Sequence, residues 1–532
     1  MDSAREDARV KALSPLPRRS VWGNPRIAAL LDTALIFSLS LGLRLGGLGA
    51  KPLWGDEVLT RSRVALPFRK LISDSLRHHH LPTYFLLLAQ LSPGTNPWLL
   101  RLPSAIAGAI AAAIGMSIGR KLAEIAGAAR LGGLISGLLL AGAPVMVQFS
   151  QDARPYTLEL ACIMLSLWGL VALGCDADAA AGPWRTGRGP WLALLLGLLG
   201  ALAIIGDALP FLFMANLCAW PIALSLNGAA RRRFLIRWAA GQTAVLLAVA
   251  PLYAAMGHAV HDHYMAAFSW IPPLSMLRAW RVAADVYLLR TANIDTLHLL
   301  PVGLPVLGLV LPLLAGVGFV TLRKRPTALI VMALAVITLP VVLVLSEPAR
   351  PLWLPRYLLW SGAAFLIAGG IGAAWLARRC SVVWTSAVAA ALLLVNLLPF
   401  YRAETVPRWN LAAAALSPAL AAGADIFPND RSVPMMLRAY LHGGSAILPD
   451  NRVLFRINAA EKRLRAGIPI IGVYGPTGQE LLLRPSMFRA QLQRLGTPVA
   501  ETRIGQEIIL LRFNPLPVRT SGPAEADASS NP

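Results

Sequence analysis

Apolar residues in this chain fall into runs of roughly 17–24 separated by short charged loops, the length a helix needs to cross about 30 Å of hydrocarbon. Lipid offers the backbone no water, so each run must satisfy its own hydrogen bonds and is expected to be a helix. About eleven long spans are expected, over residues 26–45, 98–118, 131–147, 156–173, 191–206, 208–224, 238–256, 299–322, 329–345, 357–377 and 382–400. A further apolar stretch, 81–91, is too short for an upright crossing. It can be tilted, re-entrant, or joined differently to its neighbours.

After Tyr401 the texture changes. Strand-like segments at 468–473 and 508–511 alternate with helix-like segments at 411–420, 433–441 and 485–495. That alternation predicts a small α/β domain of about 110 residues. The stretch 521–532 is small and polar and is expected to be disordered. No internal repeat stands out. The pattern thus predicts an α-helical polytopic membrane protein with a small C-terminal α/β soluble domain. Its divisions are a cytoplasmic tail (1–25), a multi-span module (26–400), the α/β domain (401–515) and a disordered tail (516–532).

Composition agrees. Hydrophobic residues make up 56% of the 532 positions and charged ones 14%, where a soluble protein carries about 25% charged. The net charge of +22 would suggest nucleic acid in a soluble protein. Here much of the excess sits in short loops, where Lys and Arg set orientation, and no nucleic-acid partner is expected. Loops 119–130 (with Arg120 and Lys121), 175–190, 231–233, 323–325 and 378–379 read as cytoplasmic. The alternate loops are then outside: 46–80, 149–155, a turn at Asp207, 257–298, 346–356 and everything after Tyr401. About 25 polar residues precede the first run, which therefore reads as a retained signal anchor, and Arg18-Arg19 as a positive-inside anchor. Cys162, Cys175, Cys218 and Cys380 have no metal-ligand spacing and suggest no disulfide framework.

Polar chemistry concentrates in the outside loops. The first holds Leu53-Trp54-Gly55-Asp56-Glu57, two adjacent acids just beyond a span, where a solvated loop start or a helix cap is the plain alternative. It ends at His78-His79-His80-Leu81-Pro82-Thr83-Tyr84. Three histidines suggest zinc, but contiguous ones cannot all face one ion from a regular element. The second loop holds Gln151-Asp152-Ala153-Arg154-Pro155-Tyr156, whose Asp and Arg could simply pair. The fifth holds Pro351-Leu352-Trp353-Leu354-Pro355-Arg356-Tyr357, where Arg356 could snorkel and Tyr357 belong to an aromatic belt. Positions 274–290 alternate Leu277, Trp280 and Tyr287 with Arg278, Arg281 and Arg290, as an interfacial amphipathic helix would. His258, His261 and His263 nearby read as a metal site or a solvated turn. Together these loops supply two acids, a histidine and two arginines on one side of the membrane. That is the inventory for moving a group off a lipid phosphate: an acid takes the acceptor proton and arginines hold the phosphate.

The ordered set Trp-Gly-Asp-Glu, His-x-Pro-x-Tyr, Leu100-Arg101-Leu102-Pro103-Ser104-Ala105, Gly119-Arg120-Lys121-Leu122, Gln-Asp-Ala-Arg-Pro-Tyr and Arg356-Tyr357 resembles the family-39-type, GT-C fold glycosyltransferases. These include protein O-mannosyltransferases and lipid A aminoarabinose and galacturonic acid transferases. The quoted motifs follow one another in order from Trp54 to Tyr357. It implies a GT-C-like bundle of about 11–13 membrane helices, a polyprenyl-phosphate sugar as donor, and a lipid A, polysaccharide or protein hydroxyl as acceptor on the periplasmic face of a bacterial inner membrane. It places the catalytic base on Asp56, with Glu57 and Asp152 beside it as catalytic candidates. His80, Tyr84, Arg154, Tyr156, Arg356 and Tyr357 become substrate-binding candidates. The resemblance fixes no cofactor; a divalent cation stays open and no metal ligands are assigned. Many relatives have two prolines after the histidine, where this chain has Leu81-Pro82. A lipid transporter or flippase would need polar residues inside the spans. A non-catalytic envelope assembly protein would leave the Asp56, Asp152 and Arg356 set unexplained.

Overall fold

The computed structural model describes residues 25–91, 96–179, 187–259, 271, 273–289, 303–348, 352–381, 397–398, 400–401, 406–477, 484–505 and 507–515. The expected 1–25 tail (all but its last residue), His261, His263, Arg290, nearly all of the 382–400 span and the 516–532 tail lie outside the described residues.

Among the described residues six helices are long and apolar enough to cross a membrane: Pro25–Leu45, Pro97–Ala126, Tyr156–Asp178, Gly228–Ala259, Pro326–Ser346 and Pro355–Arg379. The stretch expected as one span at 131–147 is two helices, Ala129–Gly142 and Pro144–Ser150, bent by 58°. Pro144 has no N–H, so it breaks the helical ladder and leaves carbonyls open. Two apolar helices, Arg188–Ile204 and Leu209–Ser225, have 17 residues each, the short end of the spanning range of roughly 17–25. Gly303–Leu322 supplies another apolar helix. The stretch 81–91 forms Thr83–Leu91, only 9 residues, and adds no crossing. Leu35, Leu39, Trp220, Leu247, Leu313 and Leu345 are exposed on these helices, as side chains that face acyl chains are. The protein is a multi-pass membrane protein.

Helices in lipid pack by van der Waals contact, which favours small residues at crossings. A Cβ on Gly318 would lie 2.1 Å from the Ala368 carbonyl oxygen and one on Gly372 1.8 Å from that of Leu314. Helix Pro25–Leu45 (α1) is pinned at both ends. Asp32 pairs with Arg120 and, at 3.0 Å, with Arg130. At the other end the buried Arg44 donates to the carbonyls of Leu140 (3.2 Å) and Ala141 (3.0 Å) and to Ser150 Oγ (2.9 Å). Arg44 thus satisfies the carbonyls that Pro144 leaves open, as a cation favours a helix C-terminus. The basic loops gather at the Asp32 end: Arg378 Nη1 donates to Ala126 O (2.5 Å), Arg325 Nη1 to Cys175 O (3.3 Å), and Lys121 Nζ lies 3.5 Å from Asp176.

The C-terminal part carries one four-stranded sheet among the described residues: β1 (Asp425–Pro428), β2 (Ile470–Tyr474), β3 (Ala500–Ile504) and β4 (Ile508–Phe513), in the order β1-β2-β4-β3. β1 and β2 are parallel; the other pairs are antiparallel. This domain is not a loose appendage. Trp409, Val473, Ile471 and Ile508 share one core with Leu53, Val58, Tyr84 and Phe85 from the segment after α1.

Candidate active site

Helix α2 (Gly55–Val64) carries both acids in its first turn. Glu57, at the third helical position, reaches back to the Trp54 N–H at 3.2 Å and closes the helix start. Its carboxylate also takes both prongs of Arg101, at 2.7 and 2.6 Å, and the Ala153 N–H at 2.8 Å. Glu57 is 0% exposed. Arg101 is anchored in turn to the carbonyls of Leu48, Lys51 and Pro52. One carboxylate therefore ties three chain segments together, and every direction in which it accepts is used.

Asp56 points the other way. Its side chain is 29% exposed, with Oδ2 3.4 Å from Arg356 Nη1 and 3.8 Å from Arg154 Nε. Both arginines are nearly closed to solvent, at 10% and 6%. The Tyr156 ring lies 5.8 Å from each guanidinium and the Tyr357 ring 5.3 Å from that of Arg356. Tyr156 and Tyr357 meet edge to face at 6.4 Å. The aromatic faces hold the cations by cation–π attraction. A short 3-10 turn, Pro355–Leu358, delivers Arg356. Segment 151–155 delivers Arg154. Gln151 Nε2 holds it to the carbonyls of Arg44 and Gly46, and Ser104 Oγ donates to Arg154 O at 3.1 Å.

Asp152 is half-buried behind this pair. Burial and the neighbouring Glu57 charge raise its carboxyl above the ordinary range, with Arg101 opposing. Lys51 lies 4.0 Å over the Phe400 ring, and burial lowers its ammonium to about 8. His80 stacks edge-on against Phe85 at 5.7 Å. Burial, then the Arg154 and Arg63 charges, hold its imidazole well below the usual histidine range, so it is neutral at pH 7.

The structure thus brings Asp56, Arg154, Tyr156, Arg356 and Tyr357 together, with Asp152 and His80 in the surrounding field. Among the expected site residues Glu57, Tyr84, Tyr156 and Arg154 are buried, the first two most completely. Glu57 is fully enclosed. Tyr84 is 1% exposed and its hydroxyl pairs with Ser104 Oγ at 3.0 Å. Glu57 is enclosed by Arg101 and the Trp54 and Ala153 N–H groups, and Tyr84 packs in the core that α2 shares with the C-terminal domain. Among the described residues no three His, Cys, Asp or Glu side chains converge as a metal-ligand set. The positive charge beside Asp56 comes from arginine. The 274–290 segment contains a helix, Met276–Tyr287, with Met276, Leu277 and Trp280 exposed. Tyr287, expected on the same apolar side, turns inward and pairs with Ser361 Oγ at 2.7 Å.

Sequence inspection missed Arg44, Lys51 and Arg63. A charge within an apolar span was the available signal for Arg44. Arg63 stands seven residues after Asp56, two helical turns along the same face.

No family model and no curated protein sequence matches the chain. Solved structures do. ArnT from Cupriavidus metallidurans in the apo state superposes with a TM-score of 0.54 at 15% identity, covering 91% of this chain and 98% of that one. The same protein bound to undecaprenyl phosphate gives 0.51 at 14% identity, covering 90% and 97%. The fold is GT-C. Within the GT-C architecture the Asp56 cluster sits where the segment after α1, the 151–155 segment and the Arg356 turn meet under the C-terminal domain.

Proposed function

We propose that this chain is a membrane glycosyltransferase. It moves a sugar from a polyprenyl-phosphate donor to a hydroxyl on a glycan, lipid or protein, at the periplasmic face of a bacterial inner membrane. The observation that carries this is the Asp56 carboxylate, partly open to solvent between two buried arginines on aromatic faces. The solved structure of the ArnT complex holds undecaprenyl phosphate, and the GT-C fold is shared.

Asp56 accepts the proton as the acceptor oxygen attacks the anomeric carbon. The C–O bond to phosphate breaks, and its electron pair leaves on the phosphate oxygen. Positive charge builds on the sugar ring, which a nearby carboxylate stabilises. Arg356 and Arg154 release Asp56 and fork onto the phosphate, so no strong general acid is needed. Asp152 orients the acceptor. Glu57 and Tyr84 hold the framework, and His80 offers a neutral imidazole toward the donor. A flippase would line a path through the spans with polar groups, but Asp32 and Arg44 within α1 are already engaged by protein partners. Transfer of labelled sugar from a polyprenyl-phosphate sugar to envelope acceptors by the purified protein tests the proposal. Lipid and polysaccharide mass analysis of a deletion strain identifies the product.

A further inference from the structure

The charges around Asp56 do not balance. Arg63, from the same face of α2, is 5% exposed. Its Nε donates to Asp74 Oδ2 at 2.8 Å, and its guanidinium lies 4.6 Å over the Phe85 ring that His80 also touches. The other end of the group is open: Arg63 Nη1 is buried with no hydrogen-bond partner among the described residues. The same holds for Nε of Arg154. A buried donor left unmade is costly, most of all when charged, so a fold that keeps one on Arg63 and one on Arg154 is built to receive something. Three guanidiniums (Arg63, Arg154 and Arg356) pair with two carboxylates (Asp56 and Asp74), while the Asp152 carboxyl, raised by burial and by Glu57, stands outside these pairs. Glu57 does not offset the excess, because Arg101 takes it. Surplus buried positive charge with open N–H groups calls for an anion with several acceptor oxygens, and a phosphate ester fits that description.

We propose that Arg63 is a phosphate-binding residue, which closes with Arg154 on the anionic oxygens of a phosphate ester entering beside Asp56. The identity of the ester as a lipid-linked phosphate rests on the proposed function. Free phosphate offers the same oxygens, and the hydrocarbon chain tells the two apart.

The test is equilibrium binding of a sugar-free polyprenyl phosphate to full-length protein in detergent, with inorganic phosphate as competitor. Arg63→Gln is expected to weaken binding about tenfold or more, the loss that charge-assisted hydrogen bonds carry. Arg63→Lys is expected to recover only part, because ammonium is a point charge rather than a fork. Asp74→Asn removes the internal partner of Arg63 but leaves its guanidinium, and is expected to bind as the wild type or tighter. Inorganic phosphate is expected to compete only at far higher concentration than the lipid. Wild-type affinity in Arg63→Gln would overturn the assignment. So would an equal loss in Asp74→Asn, which would make Arg63 a purely internal strut. Competition by inorganic phosphate at the lipid's own concentration would overturn the lipid source. Binding is read without turnover, so failure here and failure of sugar transfer are separate results.

Discussion

Asp56 Oδ2 stands 3.4 Å from Arg356 Nη1, across 300 positions of sequence. The pair joins the first turn of α2 to the turn before Leu359–Arg379. Its neighbour Glu57 makes an opposite use of the same chemistry: it is fully enclosed, with Arg101 as a two-pronged partner. Two adjacent carboxylates thus divide into one that can meet substrate and one that holds the frame.

That division has a measurable consequence. Removing one partner of a buried ion pair leaves the other charge stranded, at about 3–5 kcal/mol. Glu57→Gln is expected to lower the thermal midpoint in detergent clearly, while Asp56→Asn leaves it near wild type. Equal midpoints for Glu57→Gln and wild type would show that the clasp carries little stability.

Gly55 reports on the C-terminal domain. A Cβ there would lie 2.5 Å from the Thr477 carbonyl oxygen, and that turn is braced by Trp409 Nε1 on Pro476 O (3.0 Å) and Thr477 Oγ1 on Asp430 (3.1 Å). With no flexible atom to give way, Gly55→Ala is expected to destabilise by about 1–3 kcal/mol and to reduce transfer. The check is the thermal midpoint and rate of the purified variant; wild-type values for both would mean the domain does not press on α2.

Asp152 gives a pH signature. Its carboxyl is raised by burial and by Glu57, so the folded state holds a proton that the unfolded chain gives up near the ordinary value of about 3.9. Folded protein then binds more protons than unfolded, and stability falls as pH rises through that window. Asp152→Asn removes the effect. The difference in midpoint between Asp152→Asn and wild type is expected to grow in the variant's favour from acid to neutral pH; a constant difference would place Asp152 in an ordinary environment.

Much of this architecture was legible in sequence. Run lengths located the long apolar helices among the described residues, and short apolar segments marked strands at 468–473 and 508–511 within a few residues of β2 and β4. β1 and β3 escaped notice because Asp425–Pro428 is only 4 residues and Ala500–Ile504 reads as polar on most positions. The 58° break escaped because hydrophobicity does not register one proline within an apolar run. At the site, residue types pointed to Asp56, Arg154 and Arg356. Sequence could not show which acid of the pair would be enclosed, since that depends on Arg101 and Ala153 arriving from other segments.

Topology is testable in cells. The basic residues Arg120, Arg130, Arg325 and Arg378 cluster at the Asp32 end of the bundle, away from Asp56 and the C-terminal domain. Positive loops stay cytoplasmic, so reporter fusions at Arg325 and Asn410 are expected to report opposite compartments. Both in one compartment would overturn the orientation and the face assigned to catalysis.

The most direct measurement is the rate of sugar transfer by purified Asp56→Asn. The amide keeps the size of the side chain and can still accept a hydrogen bond from Arg356, but it cannot take a proton. Transfer is expected to fall about 100-fold or more, the usual loss for a general base, with polyprenyl-phosphate binding and thermal midpoint close to wild type. Near wild-type transfer by Asp56→Asn would contradict the assignment of Asp56 as the base.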